Sequence, residues 1–216
     1  MRVALLPGGR TVTDRTGYMR VRHPDGQVFS FDAGALCLEL SSISGGEGFR
    51  ARFELLHSPG DFVRWAFAGR LDLAGWGLRP EDVVATEEHL ALVKRLREAI
   101  WAGAWATATG SAIARVDADV LNEVAGGAVP VPEIGPELRR TWQRPVRADQ
   151  LATLFARDAV TTLTPPTATR VRMCAADNCA LIYLDTSRPG NRRWCSMERC
   201  GNRAKVRSHR SREDRP

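Results

Sequence analysis

Four of the chain's five cysteines fall in its last quarter as two pairs of equal spacing, Cys174-Ala-Ala-Asp-Asn-Cys179 and Cys195-Ser-Met-Glu-Arg-Cys200, with fifteen residues between the pairs. Two separated thiol pairs are what a tetrahedral zinc ion takes from a chain, one pair on a turn and the other at a hairpin end or helix start. Four residues within each pair is longer than the common two. The pattern favours zinc over a disulfide pair or free buried thiols, and no secretory context supports the disulfide. Four thiolates exceed one divalent ion by two negative charges, so such a site needs cations nearby. Arg192, Arg193, Arg199, Arg203 and Lys205 crowd it.

The elements that would hold these ligands can be read around them. Ala180 to Leu184 is apolar and β-like, Pro189-Gly190-Asn191 is a turn, and Arg192 to Cys195 returns, which predicts a hairpin between the cysteine pairs. After Asn202 neither Gly nor Pro occurs before Pro216, which predicts a terminal helix with Cys200 in its first turn. The whole is a treble-clef-like module of knuckle, hairpin and helix. About 45 residues lack the apolar area to offset their ordering entropy, so a metal staple is expected on physical grounds.

Leu184-Asp185-Thr186-Ser187-Arg188, Arg192-Arg193-Trp194-Cys195-Ser196 and Cys200-Gly201-Asn202-Arg203-Ala204-Lys205 closely resemble the CGNR zinc finger. Upstream, Phe31-Asp32-Ala33-Gly34 and the long helical stretch after it resemble the ABATE domain that accompanies this finger. The resemblance implies a stress-induced transcription regulator with one structural zinc ion held by Cys174, Cys179, Cys195 and Cys200.

Charge points the same way. The chain carries a net +6, yet residues 170 to 216 hold twelve basic and five acidic side chains, a balance of +7. The remainder is therefore near neutral, and the finger alone has the sign that contacts phosphate. Arg203, Arg207 and Arg210 are spaced four then three and share a helix face, while Lys205 lies off it. With Arg192 and Arg193 from the predicted hairpin they form the expected nucleic-acid surface, led by Arg207 and Arg210. DNA is the expected partner; the alternative is a zinc-scaffolded RNA- or protein-interaction module without sequence-specific DNA binding. One short helix rarely reads a sequence alone, so the N-terminal domain is expected to dimerise the chain or to sense a small molecule.

The rest of the chain predicts an α+β protein with a mainly helical N-terminal domain and a few short strands. Residues 1–27 form an extension with a hairpin, in which Tyr18 to Arg22 alternates, His23-Pro24-Asp25-Gly26 turns and Gln27 to Phe31 resumes. Residues 28–165 form the ABATE-like domain, and 170–214 the finger. Ala33 to Ile43 reads as a buried helix containing the lone Cys37, and Arg52 to Leu56 as a strand. Ser58-Pro59-Gly60-Asp61 is a helix start with Ser as N-cap and Pro first. Leu92, Leu96, Ile100, Trp101 and Trp105 mark the longest helix, with the tryptophans in the core and Lys94, Arg95 and Arg97 on a solvated face. Asp117 caps a shorter helix ended by Gly126-Gly127, Val129 to Pro132 is an extended linker, and Leu138 to Gln143 a second strand. Leu151, Leu154, Phe155, Ala159 and Leu163 stripe a last helix that Pro165-Pro166 ends.

No segment reaches the roughly 18 apolar residues of a membrane span. The apolar run at the start is too short for a signal peptide, which places the thiols in a reducing, cytoplasmic setting. His23, His57, His89 and His209 are scattered, without a His-Glu-x-x-His or nucleophile-elbow pattern. A zinc ion held by four thiolates also offers no open position to water. No enzymatic activity is expected.

Overall fold

The fold is a computed structural model that describes residues 4–5, 11–12, 18–22, 26–43, 45 and 48–213. It opens with an antiparallel sheet in the order β1 (Ala4–Leu5), β2 (Thr11–Val12), β3 (Tyr18–Arg22), β4 (Val28–Asp32). β3 and β4 are the hairpin that the alternation predicted, with Met19 opposite Phe31 and Val21 opposite Phe29. These four side chains face inward and are buried. The turn residues 23–25 lie outside the described residues, as do most of residues 1–17.

Helices α1 (Leu36–Ser42), α2 (Gly48–Ala51), α3 (Pro59–Ala68), α4 (Glu87–Thr109), α5 (Arg115–Ala125) and α6 (Ala148–Leu163) follow. α1 is the expected buried helix, and Cys37 within it is fully buried. α3 starts at the capping box: Ser58 Oγ accepts from the Asp61 amide, and Asp61 Oδ2 accepts from the Ser58 amide at 2.7 Å. The apolar stripes of α4 and α6 pack together with α1 and α5, placing Leu96, Ile100, Leu151 and Phe155 in the centre of the core.

Several local expectations are corrected. Residues 52–56 form no strand; the Glu54 carboxylate accepts from the amides of Leu55 and Leu56 instead, which closes the backbone into a loop. The stretch read as a linker, Val129 to Pro132, leads into β6 (Pro132–Ile134), the partner of β7 (Arg140–Trp142) in an antiparallel hairpin. Short β5 (Val83–Val84) and β8 (Val146–Arg147) pair in parallel. α5 begins two residues before Asp117, with Ala114 in the cap position.

Arg97 is not on a solvated face. It is 1 % exposed and binds Glu54 through both terminal nitrogens, at 2.9 and 2.8 Å, while Nε donates to Glu98 at 3.1 Å. The reason is periodicity: Arg97 falls on the stripe of Val93 and Ile100 and must bring its counter-charge inside. Trp105 is 38 % exposed and is a surface residue beside the cysteine pair, not core.

The C-terminal segment does not dangle from its connector, the 3-10 turn Thr167–Arg170. Strands β9 (Val171–Met173) and β10 (Ile182–Leu184) lie on α4 and α1, and Val171, Cys174, Ile182 and Tyr183 belong to one continuous core with the helices.

Candidate metal centre and basic surface

β9 and β10 pair antiparallel, Val171 with Leu184 and Met173 with Ile182. The first cysteine pair therefore sits at the tip of this hairpin. Sequence reading placed the hairpin between the two pairs, with Arg192 to Cys195 as its second strand, and that register is overturned. Val171 to Met173 takes that place, with Val171 buried in the core, and no strand forms over residues 192–195. Residues 192–195 run as a loop that still reaches the hairpin tip, where the Ala175 amide donates to the Arg193 carbonyl at 2.9 Å.

Cys195 precedes and Cys200 lies within a wide π-type turn, Met197–Gly201, that runs directly into α7 (Asn202–Glu213). Cys200 thus lies at the root of the terminal helix, in the π-type turn two residues before Asn202, where the sequence predicts the helix's own first turn. Gly201 is tightly placed, since a Cβ there would press on Met197 and on Trp194. Trp194 is half-buried against the core.

The four Sγ atoms lie within 4.8 Å of one another. Cys195 Sγ is 3.6 Å from both Cys179 and Cys200, and Cys174 Sγ accepts from the Cys195 amide at 3.4 Å. All four are free thiols. A zinc ion with bonds of about 2.3 Å to four sulfurs spans edges of about 3.8 Å, so the cage has the size the ion requires. The burial is uneven: Cys174, Cys195 and Cys200 are buried, and Cys179 is half-exposed.

The electrostatics call for a cation. Cys174 is driven well below the ordinary thiol range, first by its hydrogen bond with Cys179 and then by that with Cys195. Cys179 and Cys195 are pushed far up, each chiefly through its hydrogen bond with Cys174. Four sulfurs this close cannot all be thiolate without a positive ion among them. The cage fits a structural zinc ion held by Cys174, Cys179, Cys195 and Cys200.

The basic side chains divide into two groups. Arg192 was expected at a nucleic-acid surface, yet the structure turns it inward. Its Nη1 donates to the Asp32 carbonyl at 3.0 Å, Nε to the Trp194 carbonyl at 3.0 Å and Nη2 to the Cys195 carbonyl, and its guanidinium stacks 4.0 Å from the Tyr183 ring. Arg199 is likewise buried at 3 %, donating to Gln27 Oε1 at 2.6 Å beside the Phe29 ring. The other group faces solvent. Arg193, Arg203, Lys205 and Arg207 are exposed, the first stacked 5.2 Å from Trp194. Arg207 pairs with Asp177 on the hairpin tip at 2.7 Å. Arg210 lies on α7, and its side chain is outside the described residues.

Sequence reading missed the groups that join the finger to the domain. The Leu184 amide donates to the Ala33 carbonyl at 2.9 Å, so β10 is bonded on both edges. Gly34 has φ +77°, and a Cβ on it would collide with the Leu184 carbonyl. Glu198 Oε2 accepts from the Ser30 amide at 2.8 Å. Asp185 is fully buried and gathers the Ser187 amide and hydroxyl and the Arg192 amide, at 2.9, 2.5 and 2.8 Å. These bonds hold its carboxyl below the usual range, against the burial that would raise it. An Asp two residues before a Ser is an Asx-turn signal that could have identified this hub.

Two family models match the chain. One, described as "Putative stress-induced transcription regulator" and named ABATE, matches residues 34–166. The other, described as "CGNR zinc finger", matches residues 170–213. No curated protein matches the chain. Neither description is that of an enzyme, and among the described residues no helix is long and apolar enough to cross a membrane.

Proposed function

The chain belongs to the ABATE family and ends in a CGNR zinc finger, and from this premise we propose a DNA-binding transcription regulator that docks through the exposed basic side chains of its finger. The observation that carries the reading is the division of the arginines. Arg192 and Arg199 are consumed inside, whereas Arg193, Arg203, Lys205 and Arg207 face solvent around the metal turn and α7. Zinc fixes the root of the helix, the helix spaces the cations, and phosphates of a duplex match a row of cations.

The Arg207 pair does not remove it from this surface. Both partners are more than half exposed, at 56 and 82 % of the side chain, and such pairs are worth about 0–1 kcal/mol. A phosphate can take Arg207 from Asp177 at little cost. In this reading the N-terminal domain supplies what one helix lacks, either a second copy of the chain or control by a small ligand.

The test is a salt titration of duplex DNA binding with the zinc-loaded protein. Replacing Arg193, Arg203 and Arg207 together by Gln flattens the slope of log K against log salt by roughly 2 to 3. An unchanged slope excludes this surface. Stronger binding to structured RNA than to any duplex DNA moves the assignment to the RNA-interaction reading.

A further inference from the structure

Among the described residues the two most exposed large apolar side chains sit on one short element, the β6–β7 hairpin: Leu138 at 89 % and Ile134 at 83 %. All three residues of β6 are exposed. Apolar residues scattered singly over a surface need no explanation, but two that flank one turn mark a contact surface.

The hairpin is built to hold them there. At its root Trp142 stacks on Trp76 with ring centres 4.3 Å apart, and the Gln143 amide donates to the Val131 carbonyl at 2.9 Å. Arg144, next along the chain, donates to the Gly77 carbonyl and pairs with Asp82 at 3.2 Å. At the tip the Gly135 amide donates to the Arg139 carbonyl at 2.8 Å, and Glu137 and Leu138 close the turn in the left-handed region, with φ of +59° and +56°. Residues that carry a Cβ seldom adopt that conformation, and glycine enters it freely. The hairpin itself gains nothing from a leucine at position 138, so the side chain serves a contact outside the chain.

The charges identify the contact. Glu133 and Glu137 lie in the ascending half of the hairpin, Arg139 and Arg140 in the descending half, and the four cancel. All four are exposed. Arg139 reaches Glu137 at 3.6 Å, and the Arg140 guanidinium lies 5.3 Å from the Trp142 ring. An ion pair so open to water contributes little and exchanges readily. A two-fold axis beside the tip sets the acidic half of one hairpin against the basic half of another, in both directions at once. A partner of one sign, nucleic acid included, would be repelled by half of this surface.

We propose that the β6–β7 hairpin is the surface through which two copies of the chain associate, with Ile134 and Leu138 packed tip against tip between matched charges. The inference rests on the reading in which the N-terminal domain brings a second copy, and deepens it by naming the surface. The tip is smaller than the roughly 800 Å2 per partner of a standard interface, so the dimer is weak, half formed at roughly 1–100 μM.

The experiment is sedimentation velocity on the zinc-loaded full chain, without DNA, over a concentration series that reaches about 300 μM. The parent associates reversibly. Ile134→Ser combined with Leu138→Ser weakens association about tenfold or more, while the melting temperature stays near the parent value because both positions are exposed. Glu133→Arg with Glu137→Arg, and separately Arg139→Glu with Arg140→Glu, each abolish self-association, and an equimolar mixture of these two variants forms a heterodimer. Association unchanged in the serine variant overturns the hairpin surface and leaves a second copy docked elsewhere. A parent that stays monomeric throughout overturns the hairpin and the second-copy reading together. Charge variants that stay apart when mixed overturn the two-fold arrangement. The salt dependence of DNA binding is read separately, so none of these results touches the basic surface of the finger.

Discussion

Arg192 Nη1 donates to the main-chain carbonyl of Asp32 across 160 residues of sequence, at 3.0 Å. The same guanidinium holds the carbonyls of Trp194 and Cys195, so one side chain ties the second cysteine pair to the end of β4. Arg192→Ala leaves three buried or half-buried carbonyls short of a donor. It lowers unfolding free energy by about 2–4 kcal/mol, from charged hydrogen bonds of roughly 1.5–3 kcal/mol each that are partly replaced by water. Arg193→Ala, one residue on and exposed, stays within about 0.5 kcal/mol. Denaturant unfolding of the two variants side by side makes the comparison.

Removing zinc tests how far the finger and the helices are one unit. Cys174, Val171 and Ile182 share a core with α1 and α4, so stripping the metal with a strong chelator loosens more than the last 45 residues. Hydrogen exchange after chelation is expected to rise in residues 28–43 as well as in 170–213. Exchange confined to the finger would mean the shared core does not couple them.

The Arg97–Glu54 pair gives a buried-charge prediction. Arg97→Ala strips the mostly buried Glu54 carboxylate of both guanidinium bonds and costs about 3–5 kcal/mol. Glu54 still accepts the Leu55 and Leu56 amides, so its single variant also removes loop bonds. A double-mutant cycle with Glu54→Gln isolates the pair and yields a coupling of about 1–3 kcal/mol.

Glu39 predicts a pH dependence. Burial raises its carboxyl to about 7, opposed by the amide and charge of Arg70 and assisted by the nearby charge of Asp32. A raised folded-state value means the folded chain binds the proton more tightly than the unfolded one. The contribution is present in full below pH 4.5 and is lost as pH rises through 7, up to about 3 kcal/mol in all. Glu54, Asp61 and Asp185 act oppositely, since their carboxyls are held low and their contributions vanish in acid. Melting temperature from pH 5 to 8 should therefore fall more in the parent protein than in Glu39→Gln.

Asp177 opposes the basic surface by one charge. Asp177→Asn removes the carboxylate opposite Arg207 and raises affinity for duplex DNA at low salt a few-fold, with little effect at high salt. Equal affinities at low salt would show that Arg207 does not meet phosphate.

What the sequence disclosed was mostly local. The cysteine spacing, the Ser58 cap and the β3–β4 alternation are each settled within a few residues, and the structure agrees with all three. The partner of β10 was misread because Arg192 to Cys195 is nearer to the turn, while the true partner precedes the first cysteine. Arg192 looked like surface charge, and Arg199 like a counter-charge to the thiolates, because nothing near them in sequence announces the carbonyls, amide and rings that receive them. Arg97 was legible in principle, since its place between Val93 and Ile100 on the α4 stripe outweighs its membership of a basic run.

The wide turn at Met197–Gly201 ends where α7 begins, so the last cage ligand is the pivot of a lever about 18 Å long. A tilt of roughly ten degrees at Cys200 swings the far end by about 3 Å, close to the roughly 3.4 Å axial step between successive charges on one strand. Small changes in the cage therefore arrive at the far end as a change of aim.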